Sequence, residues 1–218
     1  FVSPIFMSIT GITATHAESK LLNTILGAAF DHGVAPASGF VPRVVVASGN
    51  SVLTAMASTL LALGEHHGGA VTNAMKLYQN IINHGENNID QAVIDLVKDY
   101  RAKNKRVPGF GHPVYQDADP RVQMLFSMAR REEFDLKYLD LAYSIETQLE
   151  YSVGRKLVIN IDGAVAALLL TLGFSVDDGN AIFGLARVAG SIAHIYEDKE
   201  QANGVRRLND EDIEYQPH

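Results

Sequence analysis

Apolar residues recur along this chain at three- and four-residue spacings and hardly ever alternate, a periodicity that favours helices and leaves little for a sheet. An all-α fold follows. The first helix is expected over 17–30, with Leu21, Leu22, Ile25 and Leu26 facing inward. Further helices are expected over 51–63, 70–83, 89–103, 120–131, 136–151 and 180–197. Residues 164–172 are apolar on every side, as a central helix requires. The stretch 34–43, interrupted by Pro36, Ser38, Gly39 and Pro42, reads as an irregular loop.

With 218 residues, 47% of them apolar and 20% charged, the chain can bury a substantial core and does not have a disordered composition. A net charge of −7 argues against a nucleic-acid surface while leaving room for a local cationic pocket. There is no cysteine, which excludes disulfides, thiolate metal sites and cysteine nucleophiles. The longest apolar run, 164–170, is far short of the ~20 residues that span a bilayer. A cytoplasmic protein without a membrane partner is expected. The chain starts at Phe1, and its start is read as clipped, with part of the first domain expected to precede it.

Polar residues that could carry chemistry cluster at the ends of the apolar helices. The richest cluster is Val107-Pro108-Gly109-Phe110-Gly111-His112-Pro113, followed by Asp119-Pro120-Arg121. Two prolines and two glycines restrict the loop that carries His112. Asp119-Pro120 reads as an N-cap with proline at the first helical position, so Arg121 lies in a first turn that already favours an anion. The competing reading is an exposed histidine beside a helix start. Asp162, at the mouth of an apolar run, is either a pocket carboxylate or a helix cap, and capping is the commoner role. His32 and His66, taken singly, read as structural histidines. Adjacent side chains in Glu65-His66-His67 cannot easily converge on one ion, so no metal is expected. Arg187, inside an apolar helix, calls for an anionic partner.

Taken together, these residues resemble the citrate synthase family, and within it the citryl-CoA lyase branch that includes the C-terminal module of ATP-citrate lyase. The resemblance runs from about Leu21 to Tyr215. It is carried by Gly109-Phe110-Gly111-His112-Pro113-Val114-Tyr115 with Asp119-Pro120-Arg121, and by Asp31-His32-Gly33, His67-Gly68-Gly69-Ala70, Asn160-Ile161-Asp162-Gly163 and Leu185-Ala186-Arg187 with Gly190 and His194. It implies a large helical domain (1–70 and 160–218) with an inserted small helical domain (71–159), closing about Gly68-Gly69 and Asp162-Gly163.

The resemblance also implies roles. Asp162 exchanges a proton with the acetyl methyl, His67 holds the thioester oxygen, and His112 polarises the oxaloacetate ketone. His32, Arg121 and Arg187 bind oxaloacetate, and Arg207, or Arg206 beside it, arrives from a neighbouring subunit of a homodimer. Val107, Pro108, Gly109, Phe110 and Gly111 would lie along the CoA adenine, with Lys105 and Arg106 near its phosphates. Coenzyme A thioester is then a substrate, with no covalently bound cofactor. The expected reaction is cleavage of citryl-CoA to acetyl-CoA and oxaloacetate. Condensation by a citrate or 2-methylcitrate synthase is the alternative, and a silent CoA- or dicarboxylate-binding relative is a third reading. Val71-Thr72-Asn73, the segment after His32 and the tail 210–215 lean to the lyase branch, whereas His67 is the synthase-like residue.

Overall fold

The computed structural model describes residues 1–84, 88–201 and 204–206; these residues are predominantly helical, with only two isolated β-bridges. In chain order the helices are α1 (Val2–Thr10), α2 (His16–Ala29), α3 (Ala37–Ala47), α4 (Val52–Leu61), α5 (Ala70–His84), α6 (Ile89–Ala102), α7 (Pro120–Arg131), α8 (Lys137–Val153), α9 (Ile161–Thr171) and α10 (Asp178–Gln201). Capping side chains set several of the boundaries. Ser51 Oγ accepts from Thr54 N–H at 3.1 Å to start α4, and Asn88 Oδ1 accepts from Gln91 N–H at 3.0 Å to start α6.

The stretch read as an irregular loop is a correction. Residues 37–47 form α3, with extended Pro36 as its N-cap and Pro42 inside it. Proline and serine here mark the entry to a helix rather than its absence. Pro42 lacks only the N–H that would have bonded the Ser38 carbonyl. Val46 anchors the helix in a small core with Ala55 and Ile195, so tertiary packing overrides local propensity. Helix α1 was not foreseen; its Phe6 is fully buried and meets Phe174 edge-on at 5.3 Å.

Packing divides the chain into two compact units, 1–29 with 68–185 and 30–67 with 186–218. In the first, α9 lies against α2, α5, α7 and α8. Its residues 163–170 are all buried, and each fully buried leucine such as Leu168 or Leu169 stabilises the fold by about 1.5–3 kcal/mol. In the second unit α3 packs on α4. There Thr59 Oγ1 donates to Ser191 Oγ at 2.9 Å, and Arg43 forks onto the buried Asp198 at 2.8 and 3.1 Å. Among the described residues no helix is long and apolar enough to cross a membrane.

Candidate active-site residues

In the first unit two turns are clipped together through their backbones. Phe110 and Ile159 form an antiparallel bridge, Gly111 N–H donates to the Val158 carbonyl at 2.7 Å, and Asn160 N–H donates to the Gly109 carbonyl at 3.0 Å. Gly109 has φ +89°, and a Cβ there would lie 2.8 Å from the Gly163 Cα. Only glycine fits that contact. Its close approach is therefore to Gly163, within the chain.

Asn160 caps α9, its Oδ1 accepting from Asp162 N–H and Gly163 N–H at 3.1 Å each. The capping role weighed for Asp162 thus falls to its neighbour. Asp162 itself sits half-buried in the first turn of α9, where the helix dipole favours a carboxylate.

His112 is held in one tautomer. Val114 N–H and Tyr115 N–H both donate to its Nδ1, at 3.0 and 3.1 Å, so the ring proton of the neutral imidazole lies on Nε2. Arg121 Nη2 stands 3.4 Å from that Nε2. Two donors side by side are suited to adjacent oxygens of one ligand, such as a ketone and its neighbouring carboxylate.

Arg121 is aimed by Asp119, whose Oδ1 accepts from Arg121 N–H and Nε at 3.0 Å each and whose Oδ2 accepts from Nη2 at 2.7 Å. The bond to Asp119 raises the Arg121 guanidinium above its usual range. Burial pushes the Asp119 carboxyl up, but its bonds from Arg121 outweigh this and hold it below the usual carboxylate range. Arg121 thus stands beside His112 and within electrostatic reach of Asp162.

The second unit carries the other expected residues. His67 Nε2 accepts from Ser38 N–H at 3.2 Å and lies 2.8 Å from Ser38 Oγ, which puts the proton of the neutral ring on Nδ1. Burial, helped by the Arg187 charge, lowers the His67 pKa and keeps the ring neutral. Arg187 itself is buried on α10.

His32 is exposed in a turn whose amides are gathered by Asp31, Oδ1 accepting from His32 N–H at 2.8 Å and from Gly33 N–H at 3.0 Å. The same oxygen meets His194 Nε2 at 2.9 Å, while Glu197 Oε2 lies 3.2 Å from His194 Nδ1. Donating to the Asp31 carboxylate raises the His194 pKa. Burial pushes Asp31 up, but the His194 bond and the two amides hold it below the ordinary carboxylate range. Arg206 forks onto Asp198, while Arg207 lies outside the described residues.

A cavity of about 880 Å³ in the first unit gathers Arg101, Lys105, Arg106, Arg155 and Lys156, with His112 also on its wall. Val107, Phe110 and Gly111 line it, whereas Pro108 and Gly109 lie outside its lining. Among the described residues no group of three or more His, Cys, Asp or Glu is arranged to hold a metal ion.

Sequence reasoning passed over four supporting residues. Asp119 was read only as a cap, and Asn160 only as part of a motif. An asparagine just before an apolar helix was a signal for the second. Ser38 beside His67, and Glu146, whose Oε1 accepts from Ile159 N–H at 2.7 Å, are contacts between distant positions that no local signal announces.

Residues 2–208 match the family described as citrate synthase, C-terminal domain. The solved citryl-CoA lyase from Hydrogenobacter thermophilus is 35% identical with a TM-score of 0.89, covering 100% of this chain and 84% of that one. The ATP citrate lyase from Methanothrix soehngenii, solved with citrate and coenzyme A, is 26% identical with a TM-score of 0.86, covering 95% of this chain and 35% of that one. A probable ATP-citrate synthase of Dictyostelium discoideum is 26% identical over 213 residues, 90% of this chain and 33% of that protein. The chain thus spans about a third of the length of that curated relative.

Proposed function

Because this chain belongs to the citrate synthase family, we propose that it is a citryl-CoA lyase, cleaving citryl-CoA to acetyl-CoA and oxaloacetate. The observation that carries the reading is the donor pair His112 Nε2–H and Arg121 Nη2 beside the Asp162 carboxylate, a set matched to an α-keto acid and a carbon acid.

In the cleavage direction the citryl hydroxyl passes its proton to the Asp162 carboxylate as the ketone forms. The carbon–carbon bond breaks, and its electron pair enters the thioester enolate. His112 Nε2–H steadies the oxygen that becomes the ketone, while Arg121, Arg187 and His32 bind the oxaloacetate carboxylates. His67 Nδ1–H steadies the enolate oxygen, and Asp162 returns a proton to the terminal carbon to give acetyl-CoA. A neutral His67 donor placed at the enolate oxygen is what lets a carboxylate manage a carbon acid, because it stabilises charge only where it develops.

The cationic cavity supports a CoA site, with Val107, Phe110 and Gly111 along the adenine and Lys105, Arg106, Arg155 and Lys156 toward the phosphates. In this proposal Pro108 and Gly109 shape the loop from behind. The protein works as a homodimer with Arg207 donated across the interface; Arg206 has its partner Asp198 within its own chain. The division into 1–70 with 160–218 and an inserted 71–159 belongs to the same proposal, as a closure on ligand that small-angle scattering would register as compaction.

The same residues serve condensation, and His67 favours a synthase as the second reading. Steady-state cleavage of citryl-CoA, run beside CoA release from oxaloacetate with acetyl- or propionyl-CoA, decides between them. Ligand binding by calorimetry with no turnover in either direction would replace both by a silent binding protein.

A further inference from the structure

We propose that Asn160 is a positioning residue that holds the His112 loop and the Asp162 turn in one fixed relation. The proposal rests on the lyase or synthase reading for its effect on turnover, but its geometry stands apart from that reading.

A side-chain amide offers two acceptor lone pairs and two donor hydrogens, and Asn160 spends them on both turns. Its Oδ1 accepts from Asp162 N–H and Gly163 N–H at 3.1 Å each, and its Nδ2 donates to the Gly111 carbonyl at 2.9 Å. Its own N–H donates to the Gly109 carbonyl at 3.0 Å, and its carbonyl accepts from Ala164 N–H at 3.0 Å. The Gly111 carbonyl belongs to the peptide whose nitrogen is that of His112. The plane of the peptide entering His112 is therefore fixed by the residue that also fixes the amide of Asp162.

Capping alone does not call for asparagine here. Serine and aspartate cap a helix about as well, since each presents the required oxygen. Neither can supply the N–H that reaches the Gly111 carbonyl. Gly109 and Gly163, in backbone contact behind Asn160, leave the two turns no room to re-seat by sliding together. Loss of the amide donor frees the Gly111 carbonyl and loosens the loop on the His112 side, while α9 keeps its cap.

The test compares Asn160→Ser and Asn160→Asp with the wild type in melting temperature, turnover and backbone amide exchange at Gly111 and His112. Both variants are expected to melt within about 4 °C of the wild type because the cap survives. Their kcat should fall about 10- to 100-fold, the order expected when reacting groups lose alignment, with KM for the CoA thioester within about threefold. Amide exchange at Gly111 and His112 should quicken about tenfold or more. Wild-type kcat and wild-type protection in both variants would overturn the proposal and leave Asn160 a cap. If the wild type turns over neither citryl-CoA nor the condensation substrates, the enzyme reading falls while the exchange data still decide the link. Faster exchange in the variants then supports it, and equal protection overturns it.

Discussion

The two units hold their candidate residues by different means. In the first, the His112 loop and the Asp162 turn are joined by backbone hydrogen bonds and a glycine-to-glycine contact, none of which titrates near neutral pH. In the second, the His32 turn hangs on the Asp31 carboxylate, which His194 in turn secures, and His67 is set by one serine. Backbone clips fix geometry regardless of conditions. Side-chain pairs fix it only in the right protonation state.

The largest effect should come from removing the group that the clipped turns present. Asp162→Ala is expected to lower turnover by about 10²- to 10⁴-fold, the usual contribution of a positioned acid or base, while oxaloacetate affinity is kept. Steady-state kinetics beside calorimetric titration checks this, and an unchanged kcat would remove Asp162 from its role. Next, Gly163→Ala should destabilise the first unit by roughly 1–3 kcal/mol, because the new Cβ runs into the Gly109 carbonyl. The shift should show in chemical denaturation as a lower midpoint with an unchanged slope.

A smaller change is expected from Ser38→Ala. It takes away one contact to His67 Nε2 while the residue 38 backbone N–H remains, a loss of about 0.5–1.5 kcal/mol. Turnover should fall a few-fold with the His67 tautomer retained, which ring-nitrogen chemical shifts would report.

The smallest effect separates the two modes of attachment by pH. His194 is raised above its ordinary 6.5, so its contribution is fully present below 6.5 and is lost as pH rises through the higher folded-state value. Asp31 is held below its ordinary 3.8, so its contribution is present above 3.8 and is lost as pH falls through the lower folded-state value. The pair is strongest between those limits. Raising the pH through the folded-state value of His194 should therefore cost the wild type more than His194→Gln, by no more than about 2 °C in melting temperature, since these partners are partly exposed. Identical pH profiles for the two proteins would show that the second unit is held as rigidly as the first.

What could be read in advance follows from the range of each interaction. Helices with a strong three- and four-residue period, such as α2, α5, α7 and α8, declare themselves because their signal lies within one turn of chain. So does Asp119, whose cap and proline are adjacent. Helix α3 did not, because Pro36, Ser38, Gly39 and Pro42 are loop residues by local rule and become helical only through the packing of Val46 against Ala55 and Ile195. His112, Arg121 and Asp162 stood out as polar residues at helix ends, but each kept a structural reading beside the functional one until the motifs were taken together. Ser38 on His67 and Glu146 on the Ile159 amide were not, since no residue signals a partner 29 or 13 positions away.

The cationic cavity sits on a chain whose net charge is −7, and the two fields act over different ranges. At low ionic strength the whole molecule repels an approaching polyanion before the cavity can attract it. Near physiological salt the screening length falls to about 8 Å, so the distant acids fade while Arg101, Lys105, Arg106, Arg155 and Lys156 on the lining remain within reach. Association with a polyphosphorylated ligand should therefore be fastest at intermediate salt. A purely cationic surface would instead slow steadily as salt is added.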